Sequence, residues 1–313
     1  MLKKLPLPVT GVALGMAALG NLLESYSAGV RYVCGGVSAL LLLLVVLKIA
    51  ADPAQYRKDM QNPIFASVFC TTSMHLMLLA GYAKLLIGSA AVGIWYAGLI
   101  LHIVLIVYFT VRFMRKLALA NVFASYFIVY VGIVVASVTA PAFGALAVGQ
   151  AAFWFGFVML LLLLGLVTWR YCKLREVPPP AQPLFCIYTA PASLCLAGYM
   201  QSFPQKVWPL AAFLALLSLA LYVVVLVKLP RYLKMPFFPS YAAFTFPFVI
   251  SALGMKMMMA YTMSIGKAIP GLHILVGIET GIATILVVYT LIRYVVFVLG
   301  GHVSSQNTAN VKG

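Results

Sequence analysis

The chain has 313 residues, of which 64% are hydrophobic and 8% are charged. A typical soluble domain is about half apolar and about a quarter charged, so this composition excludes a soluble monomer and predicts an integral membrane protein. The net charge of +16 comes from 21 Lys and Arg residues against 5 Asp and Glu residues. Because the basic residues cluster between apolar runs, they indicate membrane orientation and no nucleic-acid partner.

Ten apolar runs have roughly the length that a membrane span needs. Backbone polar groups in hydrocarbon must be satisfied within their own segment, so these runs predict transmembrane helices and an all-α fold. We expect a single transmembrane pore domain over residues 1–303 and a disordered polar tail over residues 304–313. In chain order the ten predicted spans cover residues 7–23, 32–50, 63–83, 88–111, 122–143, 145–169, 183–203, 207–227, 238–262 and 270–299.

The connectors between the spans predict the orientation. Most Lys and Arg residues fall in connectors on the side of the N-terminus, whereas the opposite side carries only Arg31, Lys84, Lys206 and Lys267. This bias predicts a multi-pass protein of the plasma (inner) membrane with both termini in the cytoplasm.

The basic clusters also recur at nearly even intervals, which indicates an internal repeat. One basic residue from each cluster gives separations of 54 to 59 residues. The repeat predicts five helical hairpins of similar length. Five such hairpins can close into a quasi-five-fold ring in which one helix of each hairpin encloses a central pore. The residues used for this spacing are Lys4, Lys58, Lys116, Arg175, Lys234 and Arg293.

The sequence carries no pattern typical of an enzyme or a metal site. Paired acids and nucleotide-binding motifs are absent, and the histidines lie on separate segments without ligand spacing. We therefore predict no enzymatic activity, no cofactor and no metal. The four histidines are His75, His102, His273 and His302.

Apart from the basic residues assigned to the cytoplasmic side, two charged residues fall inside predicted spans, Lys256 and Glu279. Such residues are costly in a membrane unless they are paired or hydrated. The two lie at similar distances from the turn between the ninth and tenth spans, which places them at a similar depth. The leading interpretation is an ion pair that braces this hairpin. The alternatives are that Lys256 attracts an anion or that Glu279 carries a proton.

The ninth span contains Phe244-Thr245-Phe246-Pro247-Phe248, and the seventh contains Pro191. Proline removes a backbone donor and kinks a helix, so Pro191 and Pro247 predict kinks. A ring at the second kink can project toward the axis, although ordinary aromatic packing explains it equally well. Small and hydroxylated residues on the inner helices would form a weakly polar lining, though they also serve close helix packing. The candidate lining residues are Gly15, Thr71, Thr72, Ser73, Thr189, Ser193 and Thr245.

Four short motifs, in order along the chain, resemble the tellurite-resistance/dicarboxylate transporter family, which includes the slow-type anion channels of plant guard cells. The resemblance covers essentially the whole chain. The motifs are Pro8, Thr10 and Gly11 followed by Leu14-Gly15-Met16-Ala17-Ala18-Leu19-Gly20, then Asn62-Pro63, Ala190-Pro191-Ala192 and Phe244-Thr245-Phe246-Pro247.

The resemblance implies a homotrimer in which each protomer has its own pore, with the odd-numbered helices inside. It also implies that Phe246 is the gate, a ring that occludes an anion pathway near the middle of the membrane. On this basis we expect an anion channel for small monovalent anions such as chloride or nitrate, with small inorganic or organic anions and the lipid bilayer as partners. A proton-coupled transporter for C4-dicarboxylates, sulfite or tellurite-type oxyanions, using Glu279, and a membrane scaffold without transport activity remain alternatives.

Overall fold

The computed structural model describes residues 4–300. All regular structure in this part of the chain is helical. The predicted tail, 304–313, lies outside the described residues, as do the first and last three residues of the predicted pore domain. The α-helices are α1 (Val9–Leu23), α2 (Ala28–Ala51), α3 (Pro53–Asp59), α4 (Pro63–Phe69), α5 (Thr71–Ile87), α6 (Ala91–Phe109), α7 (Tyr126–Tyr130), α8 (Val135–Thr139), α9 (Leu146–Lys173), α10 (Ala190–Ser202), α11 (Trp208–Leu233), α12 (Phe246–Ser264) and α13 (Leu272–Leu299).

Eight helical stretches within residues 4–300 are long and apolar enough to cross a membrane. One of them, Pro63–Met114, is 52 residues long and turns back at Gly88, so that α5 packs against α6. Helix α1 is also apolar but shorter. The chain is therefore a multi-pass membrane protein, and each predicted span contains helix.

Local sequence signals explain where several of these helices begin and end. The side chain of Asn62 accepts a hydrogen bond from the backbone N–H of Ile64 at 2.9 Å, and Pro63 occupies the first turn of α4. Both features are typical of a helix N-terminus. The turns before α6 and α9 contain Gly88 and Gly144, whose φ angles are +60° and +66°. Glycine adopts this conformation without the steric cost that a Cβ would bring.

Burial divides the stretches into two groups. Of the most apolar 18 residues in each stretch, 100% are buried in 179–202 and 78% in 239–264, compared with 28% in α13. We call the buried group the core segments: α1, 63–87, 126–143, 179–202 and 239–264. They contact one another in sequence, α1 with α5, α5 with α8, α8 with α10, and α10 with α12, and α12 also contacts α1. The more exposed helices α2, α6, α9, α11 and α13 pack outside them.

The core segments are interrupted helices. Residues 126–143 alternate between α-helix and 3₁₀ turns, and 3₁₀ turns over Pro179–Thr189 and Pro239–Phe244 precede α10 and α12. The sequence predicted kinks at Pro191 and Pro247, and each of these spans changes from 3₁₀ turn to α-helix within two residues before its proline. Each proline lies in the first turn of its α-helix, where the missing N–H has no intrahelical partner to lose.

Candidate functional site

A small cavity lies among the N-terminal parts of the core segments, and we call it the N-end cavity. Its volume is about 40 Å³, room for on the order of three water molecules. Every core segment contributes to its wall, which is apolar apart from Thr71 and Ser240. One lining residue from each segment, in chain order, is Gly11, Thr71, Val131, Ile187 and Ala243.

A larger cavity lies among the C-terminal parts of the same segments, and we call it the C-end vestibule. Its volume is about 320 Å³. All five core segments line it as well, and Arg31 of α2 adds to its wall. One lining residue from each segment is Ala18, Leu78, Val138, Gln201 and Leu253.

Phe246 and Leu194 line both cavities. Their side chains are only 6% and 2% exposed, respectively. The two side chains therefore lie between the N-end cavity and the C-end vestibule. Phe246 was singled out from the sequence, but Leu194 was not, because a leucine inside an apolar run carries no distinguishing signal.

Three helices begin at the N-end cavity. The first residues of α5, α10 and α12 are Thr71, Ala190 and Phe246, and all three line this cavity. The N-terminal end of an α-helix carries partial positive charge and favours anions. Two of these starts continue from helical residues, because Cys70 before α5 and Thr189 before α10 are helical in conformation, whereas a backbone break at Thr245 precedes α12. The start of α12 therefore adds partial positive charge to a cavity whose side chains are largely apolar.

Of the small and hydroxylated residues expected to line a pore, Thr71 alone lines either cavity. Most of the other hydroxyl groups bond to their own or neighbouring helices, as expected where water is absent, whereas the buried Thr72 hydroxyl has no hydrogen-bond partner. Ser73 bonds His102 of α6, and Ser193 bonds Ser218 of α11. Six of the candidates line neither cavity: Gly15, Thr72, Ser73, Thr189, Ser193 and Thr245.

Gly15 and Thr245 form a close contact between α1 and α12. A Cβ on Gly15 would lie 2.5 Å from the Cβ of Thr245 and 2.9 Å from the backbone nitrogen of Phe246. The hydroxyl of Thr245 donates a hydrogen bond to the carbonyl of Gly11 at 2.9 Å. These contacts hold the start of α12, where Phe246 lies, close to α1.

The structure does not form the predicted ion pair between Lys256 and Glu279. Lys256 Nζ donates to the carbonyl of Leu22 at 2.9 Å and to Ser25 Oγ, and so caps the C-terminus of α1. The buried Glu279 Oε2 accepts a hydrogen bond from Ser251 Oγ at 2.9 Å.

The physical reason is that similar depth does not imply the same helix face. Residues 251 and 256 are five positions apart, about 140° around a helix of 3.6 residues per turn. Ser251 therefore faces α13, whereas Lys256 faces α1.

The wall of the C-end vestibule contains two charged residues, Glu24 and Arg31. They form an ion pair, which is the one salt bridge found among residues 4–300. In the sequence, Arg31 served only as an orientation signal, and nothing distinguished Glu24 as its partner.

The model of the voltage-dependent anion channel (SLAC1) family matches residues 4–298. The chain belongs to this family. No curated protein sequence matches the chain. The match confirms the resemblance to the tellurite-resistance and slow-type anion channel family, and it extends over all five core segments. As a member of the SLAC1 family, the chain is a membrane anion transport protein, and the members of this family are channels and transporters rather than enzymes.

Proposed function

We propose that this chain is a channel for small monovalent anions such as chloride and nitrate, and that Phe246 closes its pathway. The observation that carries the proposal is the pair of cavities lined by the same five segments and separated by Phe246 and Leu194. In this view the two cavities are the two ends of one conduit. Displacing the ring of Phe246 opens the connection between them.

The packing of the core segments supports a ring around this conduit. Each core segment contacts the next one along the chain, and α12 contacts α1. We propose that the ten spans form five hairpins in a quasi-five-fold ring, as one pore domain, with α2, α6, α9, α11 and α13 outside. Family membership supports a homotrimer with one conduit in each protomer. The distribution of basic residues supports a location in the plasma (inner) membrane with both termini in the cytoplasm.

The electrostatics of the conduit favour anions over cations. The start of α12, after the backbone break at Thr245, contributes partial positive charge at the N-end cavity. Glu24 is the one acidic residue that lines either cavity, and Arg31 neutralises it. An apolar and weakly positive conduit binds an anion weakly enough to release it, which conduction requires.

Bilayer current under a chloride gradient tests the proposal. Purified wild-type protein is compared with Phe246→Ala, in which the separating ring is removed. We expect a small wild-type current and a much larger current in the variant, reversing near the chloride equilibrium potential.

The matched control is Phe248→Ala. Phe248 lies two residues further along α12 and is fully buried, but it packs against Tyr222 at 5.7 Å between ring centroids and lines neither cavity. Its truncation is expected to lower stability without raising the current. Equal currents in wild type and Phe246→Ala, or silence from both in folded protein, would overturn the proposal.

A further inference from the structure

The Glu24–Arg31 ion pair lies in the wall of the vestibule that leads to Phe246. The two partners differ in how firmly they are held. The Arg31 side chain is 18% exposed, whereas the Glu24 side chain is 50% exposed. An ion pair with one well-exposed partner is weak in general, so an anion from solution can compete with the Glu24 carboxylate.

Arg31 is anchored independently of Glu24. Its guanidinium lies 5.1 Å from the centre of the Tyr82 ring, a cation–π geometry. The Tyr82 hydroxyl donates a hydrogen bond to the carbonyl of Ala17 at 2.6 Å. A Cβ on Gly35 would lie 2.6 Å from the ring, so α2 also packs tightly against it. Arg31 therefore keeps its position when Glu24 moves away.

Glu24 occupies an unfavourable place for an acid. It is the C-cap residue of α1, where the helix end carries partial negative charge. Arg31 offsets this cost, and the Lys256 ammonium caps the same helix end at Leu22. Movement of the carboxylate into water relieves its repulsion from the helix end, which offsets part of the attraction to the two cations that is lost in the exchange.

We propose that Arg31 is a binding site for anions entering the C-end vestibule, and that Glu24 is an intramolecular competitor for this site. The competitor is a carboxylate, and a guanidinium pairs best with planar groups that present two oxygen atoms. The Arg31 Nε is buried, so an entering anion meets the two terminal nitrogens of the guanidinium, an edge that offers two parallel N–H donors to such a group. The site therefore selects planar oxyanions, such as formate and nitrate, over chloride.

This inference rests on the proposed function, but a binding assay tests it without any current. The thermal unfolding of full-length protein in detergent is measured against formate concentration, with ionic strength held constant by a bulky sulfonate. A ligand that binds the folded state raises the unfolding temperature. We expect the stabilisation of Glu24→Gln to reach half its maximum at a formate concentration roughly two- to fivefold lower than that needed for wild type. This fold-change corresponds to the strength of an exposed ion pair.

Two further variants test the role of the guanidinium. Arg31→Gln is expected to lose saturable stabilisation by formate. Arg31→Lys keeps the charge and is expected to lose the preference for formate over chloride. The matched charge control is Glu176→Gln, which removes an acid from an exposed connector outside both cavities and is expected to behave as wild type.

The inference is overturned if Glu24→Gln and wild type half-saturate at the same formate concentration, or if no variant is stabilised at all. It is also overturned if Arg31→Gln, shown to be folded by gel filtration, responds as wild type does. The two proposals can fail separately. If Phe246→Ala increases the current but Glu24→Gln binds formate as wild type does, only this inference is rejected. If Glu24→Gln binds formate more tightly than wild type but neither the wild-type protein nor Phe246→Ala conducts anions, only the channel proposal is rejected.

Discussion

Phe246 depends on its immediate backbone neighbours for its position between the two cavities. The preceding residue, Thr245, has φ −99° and ψ −98° and separates the 3₁₀ turn from α12. Its hydroxyl bonds the carbonyl of Gly11, and Gly15 packs directly against it. Because Gly15 has no side chain, α1 approaches close enough to support the start of α12.

Substitution of Gly15 by alanine is expected to force α1 and α12 apart. Overpacking of this kind typically costs about 1–3 kcal/mol, so we expect a lower unfolding temperature in detergent and a leakier pathway in bilayers. The matched control is Gly165→Ala on the exposed side of α9, where an added Cβ meets no atom within 4 Å. Unfolding of Gly15→Ala at the temperature of Gly165→Ala would contradict this account of the contact.

At the scale of the elements, the interrupted core segment 126–143 is tied to its neighbours by a buried histidine. His102 of α6 is fully buried, and its Nε2 lies 3.1 Å from the carbonyl of Val129. A carbonyl can only accept, so Nε2 carries the hydrogen and Nδ1 is an acceptor. The Ser73 hydroxyl lies 2.7 Å from Nδ1 and 2.7 Å from the carbonyl of Cys70, and its one hydrogen is shared between these two acceptors. The His102 ring thus joins α5, α6 and α7 where the core segment 126–143 changes from α-helix to 3₁₀ turn.

Replacing His102 by leucine is expected to leave the Val129 carbonyl without this donor. Loss of a buried partner typically costs about 1–3 kcal/mol, which thermal unfolding in detergent measures as a lower midpoint. His273→Leu makes the same substitution at an exposed position and is expected to have little effect. Equal losses in the two variants would show that the hydrogen bonds of His102 contribute no specific stability.

At the scale of the whole molecule, residues far apart in sequence bring the first and last hairpins together. Thr245 bonds Gly11 and Lys256 bonds Leu22, each across 234 positions. These contacts join α12 to α1, and so complete the succession of core segments around the two cavities.

Thiol labelling tests the proposed orientation of the molecule. Cys172 is exposed at the end of α9, whereas the other cysteines are buried. We expect a membrane-impermeant maleimide to label Cys172 only after cells are permeabilised. In a Cys172→Ser background, Ser89→Cys in the exposed turn between α5 and α6 is expected to label in intact cells. The reverse pattern would invert the topology.

Much of the fold was predictable from the sequence because membrane helices obey local rules. Each apolar run must satisfy its own backbone hydrogen bonds, so the class of protein and the approximate limits of the helices follow from run length alone. The family was also predictable from short motifs, and the match over residues 4–298 confirms it. Phe246 was singled out as the candidate gate in the same way, from its motif.

The site was less predictable because the direction in which a side chain faces depends on how its helix packs against other helices. Hydroxyl residues such as Ser73 and Ser193 were expected to face a pore, but they bond to outer helices instead. Lys256 and Glu279 were expected to pair because of their depth, yet they face different helices. Residue type indicates which kind of hydrogen-bond or charge partner a side chain requires. The rotation of the helix about its axis decides which neighbouring helix provides that partner.

The sequence by itself determined an all-helical membrane protein of the SLAC1 family, because composition, run length and motif order act within single segments. Only the tertiary structure decided that Leu194 joins Phe246 between the cavities, that three helices begin at the N-end cavity, and that Glu24 meets Arg31 in the vestibule. These features depend on how helices distant in sequence rotate and approach one another. Such packing is set by the contacts among all five core segments together.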